Sequence, residues 1–186
     1  MARFLGLAIA AALLVGCTGG AAQEPSGTAL RAVSEPLPTL EGEDLRGEPI
    51  AASDFLGHVL VVNAWASWCI PFCAQEQPAL VAVAKRYRDE GVRFLGIDHM
   101  DQQAAANEWV RSYEVPYPSL YDPAGKLAAQ LGYFGLPDTY VVDPAGTIRY
   151  NAGPGPVTEE QLSAAIDAVL AHTSASSATA TNSPAR

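Results

Sequence analysis

The sequence predicts an α/β fold in which helices cover both faces of a mixed central sheet. Two segments, 58–65 and 92–98, are short apolar runs rich in β-branched residues, which is typical of buried strands. Between them, residues 69–90 carry apolar side chains three or four positions apart, the spacing of a helix. The turn signature at 143–146 joins a further pair of strands. Because strands alternate with helices, the sheet should be covered on both faces.

The remaining elements follow from turn residues, caps and periodicity. Gly91 ends the first helix, and Asp101 is expected to cap the second one. In chain order these elements are an N-terminal β-hairpin extension with strands at 37–40 and 48–51 around a turn at 41–43, a helix from 101 to about 113, a short helix near 126–131, strands at 139–142 and 147–150, and an amphipathic helix over 158–170.

Length and composition limit the classes of protein to be considered. At 186 residues the chain has room for one domain and its tails. Hydrophobic residues make up 49% and charged residues 17%, which predicts a packed core and excludes disorder throughout. No apolar run reaches the roughly 20 residues of a membrane-spanning helix, which excludes a polytopic membrane protein. The net charge of −9 would repel a phosphate backbone, so we expect no nucleic-acid partner.

Both ends of the chain are predicted to lie outside the folded domain. Residues 1–16 have the length and apolar character of a signal peptide. The small residues around Cys17 resemble a bacterial lipoprotein signal, in which cleavage precedes the Cys and the Cys is lipidated; an ordinary secretory signal is the alternative. The division is then a lipidated Cys and flexible tether at 17–34, a folded domain at 35–172 and a disordered Ser/Ala/Thr-rich tail at 173–186. This resemblance implies anchoring to the cell membrane on its extracytoplasmic face.

The remaining two cysteines, Cys69 and Cys73, stand where the first buried strand runs into a helix. The positive end of a helix dipole favours thiolate, which is the form that attacks a disulfide. A second thiol one turn further on can resolve the mixed disulfide that forms. A static disulfide or two unrelated thiols are the alternatives. A loop this short would gain little stability from a cross-link, which favours a redox-active pair.

The residues around these cysteines carry a family resemblance. Residues 65–69, Trp-Ala-Ser-Trp-Cys, and residues 73–78, Cys-Ala-Gln-Glu-Gln-Pro, resemble the active site of the TlpA/ResA group. These are membrane-tethered thiol:disulfide oxidoreductases of the thioredoxin superfamily, and the resemblance extends over about 37–170. It implies a thioredoxin-like fold in which Cys69 is the exposed nucleophile and Cys73 the resolving thiol of a redox-active disulfide.

The same resemblance implies roles for further residues. Pro137 falls where the fold places a cis-proline facing the cysteines, which exposes the backbone of Leu136 to an extended substrate. Glu76 matches an acid that lies below the disulfide and tunes its protonation, so we expect it to relay protons. The general thioredoxin acid is Asn63 here and cannot ionise. The apolar rim of the substrate site is assigned to Trp68, Phe72 and Tyr133, and Trp65 to the core.

The spacing of the cysteines departs from the family pattern. Three residues separate Cys69 and Cys73 where the family has two. Positions four apart on a helix still share a face, so a disulfide is expected to form with strain, which makes it easier to reduce. No basic residue lies between the cysteines to stabilise a thiolate strongly. These two arguments oppose each other, so the residues leave the redox direction open.

This spacing also resembles the copper chaperones of the Sco group. Two thiolates and an imidazole would suit copper, which makes Cys69, Cys73 and His99 an alternative ligand set, with Met100 nearby. A solvated loop His is the simpler interpretation of His99. A peroxiredoxin is disfavoured because Ala66 stands where its nucleophile motif has Thr.

The resemblance to the ResA group implies the partners as well. It favours reduction of disulfides in exported proteins, apocytochrome c among them, with electrons from a membrane donor of the thioredoxin-reducing type. We expect a monomer that needs no metal and no cofactor for this chemistry.

Overall fold

The computed structural model of the chain describes residues 30–132 and 134–180, with side chains as far as Ser174. Within these residues, the strands and helices alternate as the sequence predicts. In chain order they are β1 (Arg31–Pro36), β2 (Glu41–Glu43), β3 (Pro49–Ala51), β4 (Leu60–Trp65), α1 (Phe72–Arg86), β5 (Arg93–His99), α2 (Gln103–Ser112), β6 (Ser119–Asp122), α3 (Lys126–Gln130), β7 (Asp138–Val142), β8 (Thr147–Pro154) and α4 (Glu159–Ala180).

The main sheet has six strands in the order β1-β8-β7-β4-β5-β6. Strand β4 runs parallel to β5 and antiparallel to β7, and β5 runs parallel to β6, so the sheet is mixed, as predicted. Strands β2 and β3 pair with each other as a separate hairpin. All six residues of β4 are buried, because neighbouring strands flank it and side chains cover both of its faces.

The hydrophobic core lies on both faces of the sheet. Alternate residues of a strand point to opposite faces, so Val61 packs with side chains of α1 and α4, whereas Leu60 and Val62 pack with those of β5, β6 and α3. A third cluster contains Cys69 and Cys73 together with Trp65 and Trp109, whose rings stack at 5.7 Å. Trp65 is therefore a core residue, as predicted, and the cysteines rest directly on this aromatic support.

Close approach at Gly96 lets Trp65 take this position. The Trp65 indole crosses β5 there, and its Nε1–H donates to the Ser119 hydroxyl at 3.2 Å. A Cβ on Gly96 would lie 2.1 Å from the Ser119 Oγ and 2.8 Å from the Trp65 Nε1. Glycine is required at this position because any side chain would displace the ring beneath the cysteines.

The domain is longer than expected at both ends. Strand β1 begins at Arg31, inside the expected tether, because its backbone pairs with β8 from Arg31↔Asn151 onward. Its side chains are almost all exposed, so its sequence has no alternation of apolar residues that would predict a strand. Helix α4 continues to Ala180, inside the expected disordered tail, since Ala and Ser are compatible with a helix. The Thr173 and Ser174 hydroxyls donate to carbonyls one turn earlier.

Several other predictions concern residues that lie outside the described part of the chain. These are the signal peptide at 1–16, the lipidated Cys17, most of the tether and the end of the tail, together with Tyr133 at the active-site rim. Across the part of the chain that the structure does describe, no helix combines the length and apolarity needed to cross a membrane.

Local details differ from the predicted elements. Residues 41–43 form strand β2 instead of the hairpin turn, and the turn follows at Asp44, whose carboxylate accepts from the backbone N–H groups of Arg46 and Glu48. Helix α1 begins at Phe72 and ends at Arg86, inside the predicted range. Asp101 does not cap α2, because its carboxylate binds the loop before Cys69. Strand β6 was not predicted.

Candidate active site

A disulfide joins Cys69 and Cys73 at the carboxyl end of β4. Their Cα atoms are 5.4 Å apart, inside the usual range of about 4.4–6.8 Å. The prediction that the bond forms despite the third intervening residue is confirmed. Across this pair, the Leu136–Pro137 peptide bond is cis, as the resemblance implied.

The extra residue is accommodated in the turn that precedes α1, and not within the helix. Helix α1 starts at Phe72, so Cys73 is its second residue and Cys69 lies before it, not at its first position as expected. The Cys69 carbonyl accepts from the Cys73 N–H at 2.9 Å, and the Pro71 carbonyl accepts from the Gln75 N–H at 3.0 Å. Proline lacks an N–H and suits a position where a helix begins, which fits Pro71 at the N-cap. The Ile70–Pro71 peptide bond is cis as well.

Accessibility differs between the two sulfur-bearing residues. Cys69 is 7% exposed and Cys73 is 2% exposed. Both residues are therefore buried, and Cys69 is not the exposed residue that the resemblance implied, although it is the more accessible of the two.

Large apolar side chains near Cys69 in the chain and on the adjoining loop are exposed, and together they are called the apolar rim. Most of the large hydrophobic side chains that are exposed in the described residues stand near the cysteines in the chain or contact their loop. The Trp68 indole Nε1–H donates to the Met100 carbonyl at 3.1 Å, which fixes the ring against the loop after β5. Contiguous exposed apolar surface is typical of a protein-binding site. The rim consists of Trp68, Ile70, Phe72 and Met100.

Glu76 is buried one helical turn after Cys73, on the same side of α1. Asn63 Nδ2 donates to its Oε2 at 2.9 Å, and the Thr139 hydroxyl donates to its Oε1 at 2.8 Å. The backbone N–H of Val157 donates to Oε1 at 3.3 Å. Asn63, which the resemblance places where thioredoxins have an acid, therefore donates a hydrogen bond to Glu76.

Burial raises the pKa of Glu76 from 4.5 to about 7. The hydrogen bonds from Thr139, Val157 and Asn63 lower the pKa but do not outweigh the loss of hydration, and the nearby Asp138 raises it further. A carboxyl group that titrates near neutral pH can accept or return a proton while a neighbouring thiol changes its charge. This arrangement suits the proton relay predicted for Glu76.

The segment around the cis-proline completes the site. Pro137 is buried, and Leu136 packs against the cluster that contains both cysteines, so the structure brings these predicted substrate-binding residues to the disulfide. Asp138 follows directly and is 2% exposed. Burial raises the pKa of Asp138 to about 6, although the Tyr140 hydroxyl donates to its carboxylate.

Sequence reasoning missed the polar support of the cysteine loop. The Asp101 carboxylate accepts from the backbone N–H of Ser67 at 2.5 Å and from its hydroxyl at 2.9 Å, two residues before Cys69. The available signal was positional: β4 and β5 are parallel neighbours, so residues that follow their carboxyl ends meet at one edge of the sheet.

The copper alternative finds no support in the geometry. His99 is buried beside Asp122, with 3.8 Å between Nδ1 and Oδ2, so it is not the solvated loop residue expected either. Burial lowers the pKa of His99 against the opposing effect of Asp122. Over residues 30–132 and 134–180, no three His, Cys, Asp or Glu side chains are grouped to hold a metal ion, so Cys69, Cys73 and His99 do not form the suggested set.

The Glu76→Gln variant tests the state of the buried acid. Because folding raises the pKa of Glu76 from 4.5 to about 7, the folded state holds its proton more tightly than the unfolded chain. Raising the pH through this interval should therefore lower the free energy of unfolding, by about 3 kcal/mol. The variant lacks this contribution, so the free energy of unfolding of wild type should fall relative to that of the variant as the pH rises. Urea unfolding of the oxidised proteins between pH 4 and 8 measures the difference.

Glu114→Gln is the matched control, since it removes the same charge from a side chain that is 83% exposed. Its stability relative to wild type should change little over that pH range. A difference between wild type and Glu76→Gln that stays constant from pH 4 to 8 would contradict the assignment.

Comparison with known proteins identifies the family. The AhpC/TSA family model matches residues 33–151. The thiol:disulfide interchange protein DsbE of Allochromatium vinosum is 34% identical over 142 residues, which are 75% of this chain and 76% of that protein. The thiol-disulfide oxidoreductase ResA of Bacillus thuringiensis is 28% identical over 130 residues, 70% of this chain and 74% of that protein.

Solved structures agree with the sequence relatives. A DsbF homologue from Corynebacterium diphtheriae has a TM-score of 0.69 and 29% identity, over 78% of this chain and 96% of that chain. A secreted thiol-disulfide isomerase from Corynebacterium glutamicum has a TM-score of 0.66 and 29% identity, over 75% and 90% of the two chains. The chain therefore belongs to the AhpC/TSA family and is a thioredoxin-like thiol:disulfide oxidoreductase related to DsbE and ResA.

Proposed function

We propose that this oxidoreductase is tethered to the outer face of the cell membrane by lipid and reduces disulfides of exported proteins, apocytochrome c among them. The observation that carries the proposal is the site itself. A cysteine pair able to form a disulfide is combined with a more accessible Cys69, an apolar rim and a buried acid one turn away. A membrane donor of the thioredoxin-reducing type restores the dithiol after each turnover.

The reaction begins with both cysteines reduced. The Cys69 thiolate attacks one sulfur of the client disulfide, forms a mixed disulfide and releases the other client sulfur as a thiolate, which takes up a proton. Cys73 then loses its proton and attacks the Cys69 sulfur. This second step releases the remaining client thiol and forms the Cys69–Cys73 disulfide, so two electrons pass from the enzyme to the client.

Glu76 is suited to the proton that Cys73 must lose. It stands one helical turn from Cys73, and its pKa of about 7 lets both protonation states exist near neutral pH. In the second step Glu76 accepts the Cys73 proton, and it returns a proton when the donor reduces the disulfide. Asn63 and Thr139 keep its carboxyl group in place through both states.

The surroundings of Cys69 favour an unfolded protein segment as the client. The rim offers Trp68, Ile70, Phe72 and Met100 to apolar side chains next to the client cysteine. The backbone of Leu136, before the cis-proline, can pair with an extended chain. A protein that has not yet acquired its folded structure, such as an apocytochrome before haem attachment, presents both features.

Support for the membrane anchor comes from the sequence around Cys17. The apolar stretch of residues 1–16 precedes a Cys among small residues, as in a lipoprotein signal. Two acyl chains give stable membrane attachment where one chain is marginal. A protein so anchored meets exported clients and a membrane electron donor on the same side of the bilayer.

The Cys73→Ser variant should accumulate a mixed disulfide between Cys69 and its client. Without the resolving thiol, the first step proceeds and the second cannot. Reduced variant protein is incubated with an unfolded, disulfide-bonded apocytochrome, and the products are separated on a non-reducing gel and identified by mass spectrometry. The matched control is Cys69→Ser, which keeps one active-site cysteine and should give no such product.

Equal amounts of mixed disulfide from both variants would show that Cys69 is not the attacking residue. Absence of any mixed disulfide with Cys73→Ser would overturn the client assignment.

Substitution of Cys17 tests the anchor. The Cys17→Ala variant cannot be lipidated at that position, so it should leave the membrane fraction for the soluble extracytoplasmic fraction. Fractionation and metabolic labelling with a radioactive fatty acid measure both effects, with Cys69→Ser as the control that remains labelled and membrane-bound. Unchanged membrane retention of Cys17→Ala would refute lipid anchoring.

A further inference from the structure

Two acidic side chains, Asp98 and Asp101, lie next to the loop that carries the cysteines. Asp98 is on β5, directly opposite Trp65 of β4 in the parallel register, and is fully buried. Among the residues that the structure describes, no donor reaches either of its carboxyl oxygens. Buried carboxyl groups in proteins are nearly always hydrogen-bonded, so an unsatisfied one calls for a chemical explanation.

Asp101 has a different set of contacts. Its carboxylate accepts from the Ser67 N–H, the Ser67 hydroxyl and the Gln102 N–H, at 2.5, 2.9 and 2.7 Å. Asp101 thus fixes the turn between β4 and Cys69, and it does so as an acceptor on both of its carboxyl oxygens.

The surroundings of Asp98 favour its neutral form. Burial raises the pKa of Asp98 to about 8, and the charges of Asp101 and of Asp122, at the end of β6, add to the effect. From β4 the neighbour is Trp65, which has no charge. His99, the next residue of β5, is directed to the other face of the sheet, beside Asp122. A hydrogen bond between the side chains of Asp98 and Asp101 raises the pKa of Asp98 further, which places the proton of this pair on Asp98.

We propose that Asp98 is a positioning residue for the thiol:disulfide reaction: its protonated carboxyl group donates to Asp101 and so keeps Asp101 in place against Ser67 and the turn that carries Cys69. When the O–H of protonated Asp98 donates to Asp101, one of the two Asp98 oxygens gains a hydrogen-bond partner. Asp101 gains a further donor. When Asp98 loses its proton, two buried carboxylates face each other, and the bonds from Asp101 to Ser67 weaken.

This positioning has a consequence for activity. A loop held by Asp101 presents Cys69 in a fixed orientation, and small displacements of a reacting group cost large factors in rate. The reaction should therefore lose part of its rate as Asp98 ionises above neutral pH. The inference depends on the exchange chemistry of the family and is independent of the client and the membrane anchor proposed above.

The Asp98→Asn variant tests the inference most sharply. An amide keeps a donor toward Asp101 and has nearly the same shape, but it cannot ionise. The amide proton of Ser67, which donates to Asp101, is followed by NMR from pH 6 to 10 in the oxidised protein. In wild type its shift should change with a midpoint near pH 8, as the pKa of Asp98 requires, and in the variant this change should be absent.

Rates with a small disulfide give a second readout. The ratio of the wild-type rate to the Asp98→Asn rate cancels the ionisation of the thiols, which both proteins share. This ratio should be close to one at pH 6.5 and should fall as the pH rises through about 8. Asp98→Ala, which lacks the donor, should be about ten- to hundredfold slower than wild type at pH 6.5, and the Asn variant should restore the rate.

Two controls separate this result from others. Glu76→Gln removes a different buried acid near the cysteines, and its Ser67 amide should keep the midpoint near pH 8. In wild type labelled with carbon-13, the carboxyl carbon of Asp98 should have the chemical shift of a protonated acid at pH 7. This measurement does not depend on the folding of any variant.

Identical Ser67 titrations in wild type and Asp98→Asn, or an Asp98 carboxyl group already ionised at pH 6, would overturn the inference. Failure of Cys73→Ser to capture a client would leave these measurements unaffected, so the two proposals fail separately.

Discussion

The burial of β4 between β5 and β7 is the constraint on which the site depends. All six residues of β4 are buried, and the strand pairs with β5 along its whole length and with β7 over residues 60–64. This pairing brings three segments to one edge of the sheet. They are the cysteine loop after β4, Asp101 after β5 and the cis-proline just before β7. Catalytic groups that are distant in sequence become neighbours through backbone pairing, and Trp65 supports them from below.

Three buried acids with raised pKa values lie at or near this edge of the sheet. Glu76, Asp98 and Asp138 all have raised pKa values, and for each one burial is the largest cause. Their positions differ: Glu76 follows the resolving cysteine, Asp138 follows the cis-proline, and Asp98 stands behind the turn that carries the nucleophile. Reduction of a disulfide consumes two protons, so groups that hold protons near neutral pH are suited to a site that alternates between disulfide and dithiol.

The sequence allowed the central features to be predicted because they depend on local chemistry. The cysteines, Glu76 and Pro137 belong to motifs whose spacing carries the information, and β4 was evident from its apolar residues. Strand β1 was missed because an edge strand with exposed side chains has no apolar pattern. The roles of Asp98 and Asp101 depend on strand register, and the place of His99 beside Asp122 depends on the face to which it points. These are tertiary properties that no local pattern contains.

The most direct measurement of the central claim is a redox equilibrium of the purified chain. The protein is equilibrated in dithiol/disulfide buffers of graded potential, free thiols are alkylated, and the two forms are counted by mass spectrometry. A redox-active Cys69–Cys73 pair should convert reversibly in a single two-electron transition with a midpoint above about −300 mV. Structural disulfides of secreted proteins typically have reduction potentials below that value. A disulfide that stays closed below that potential, or that reopens only when the protein unfolds, would contradict the account.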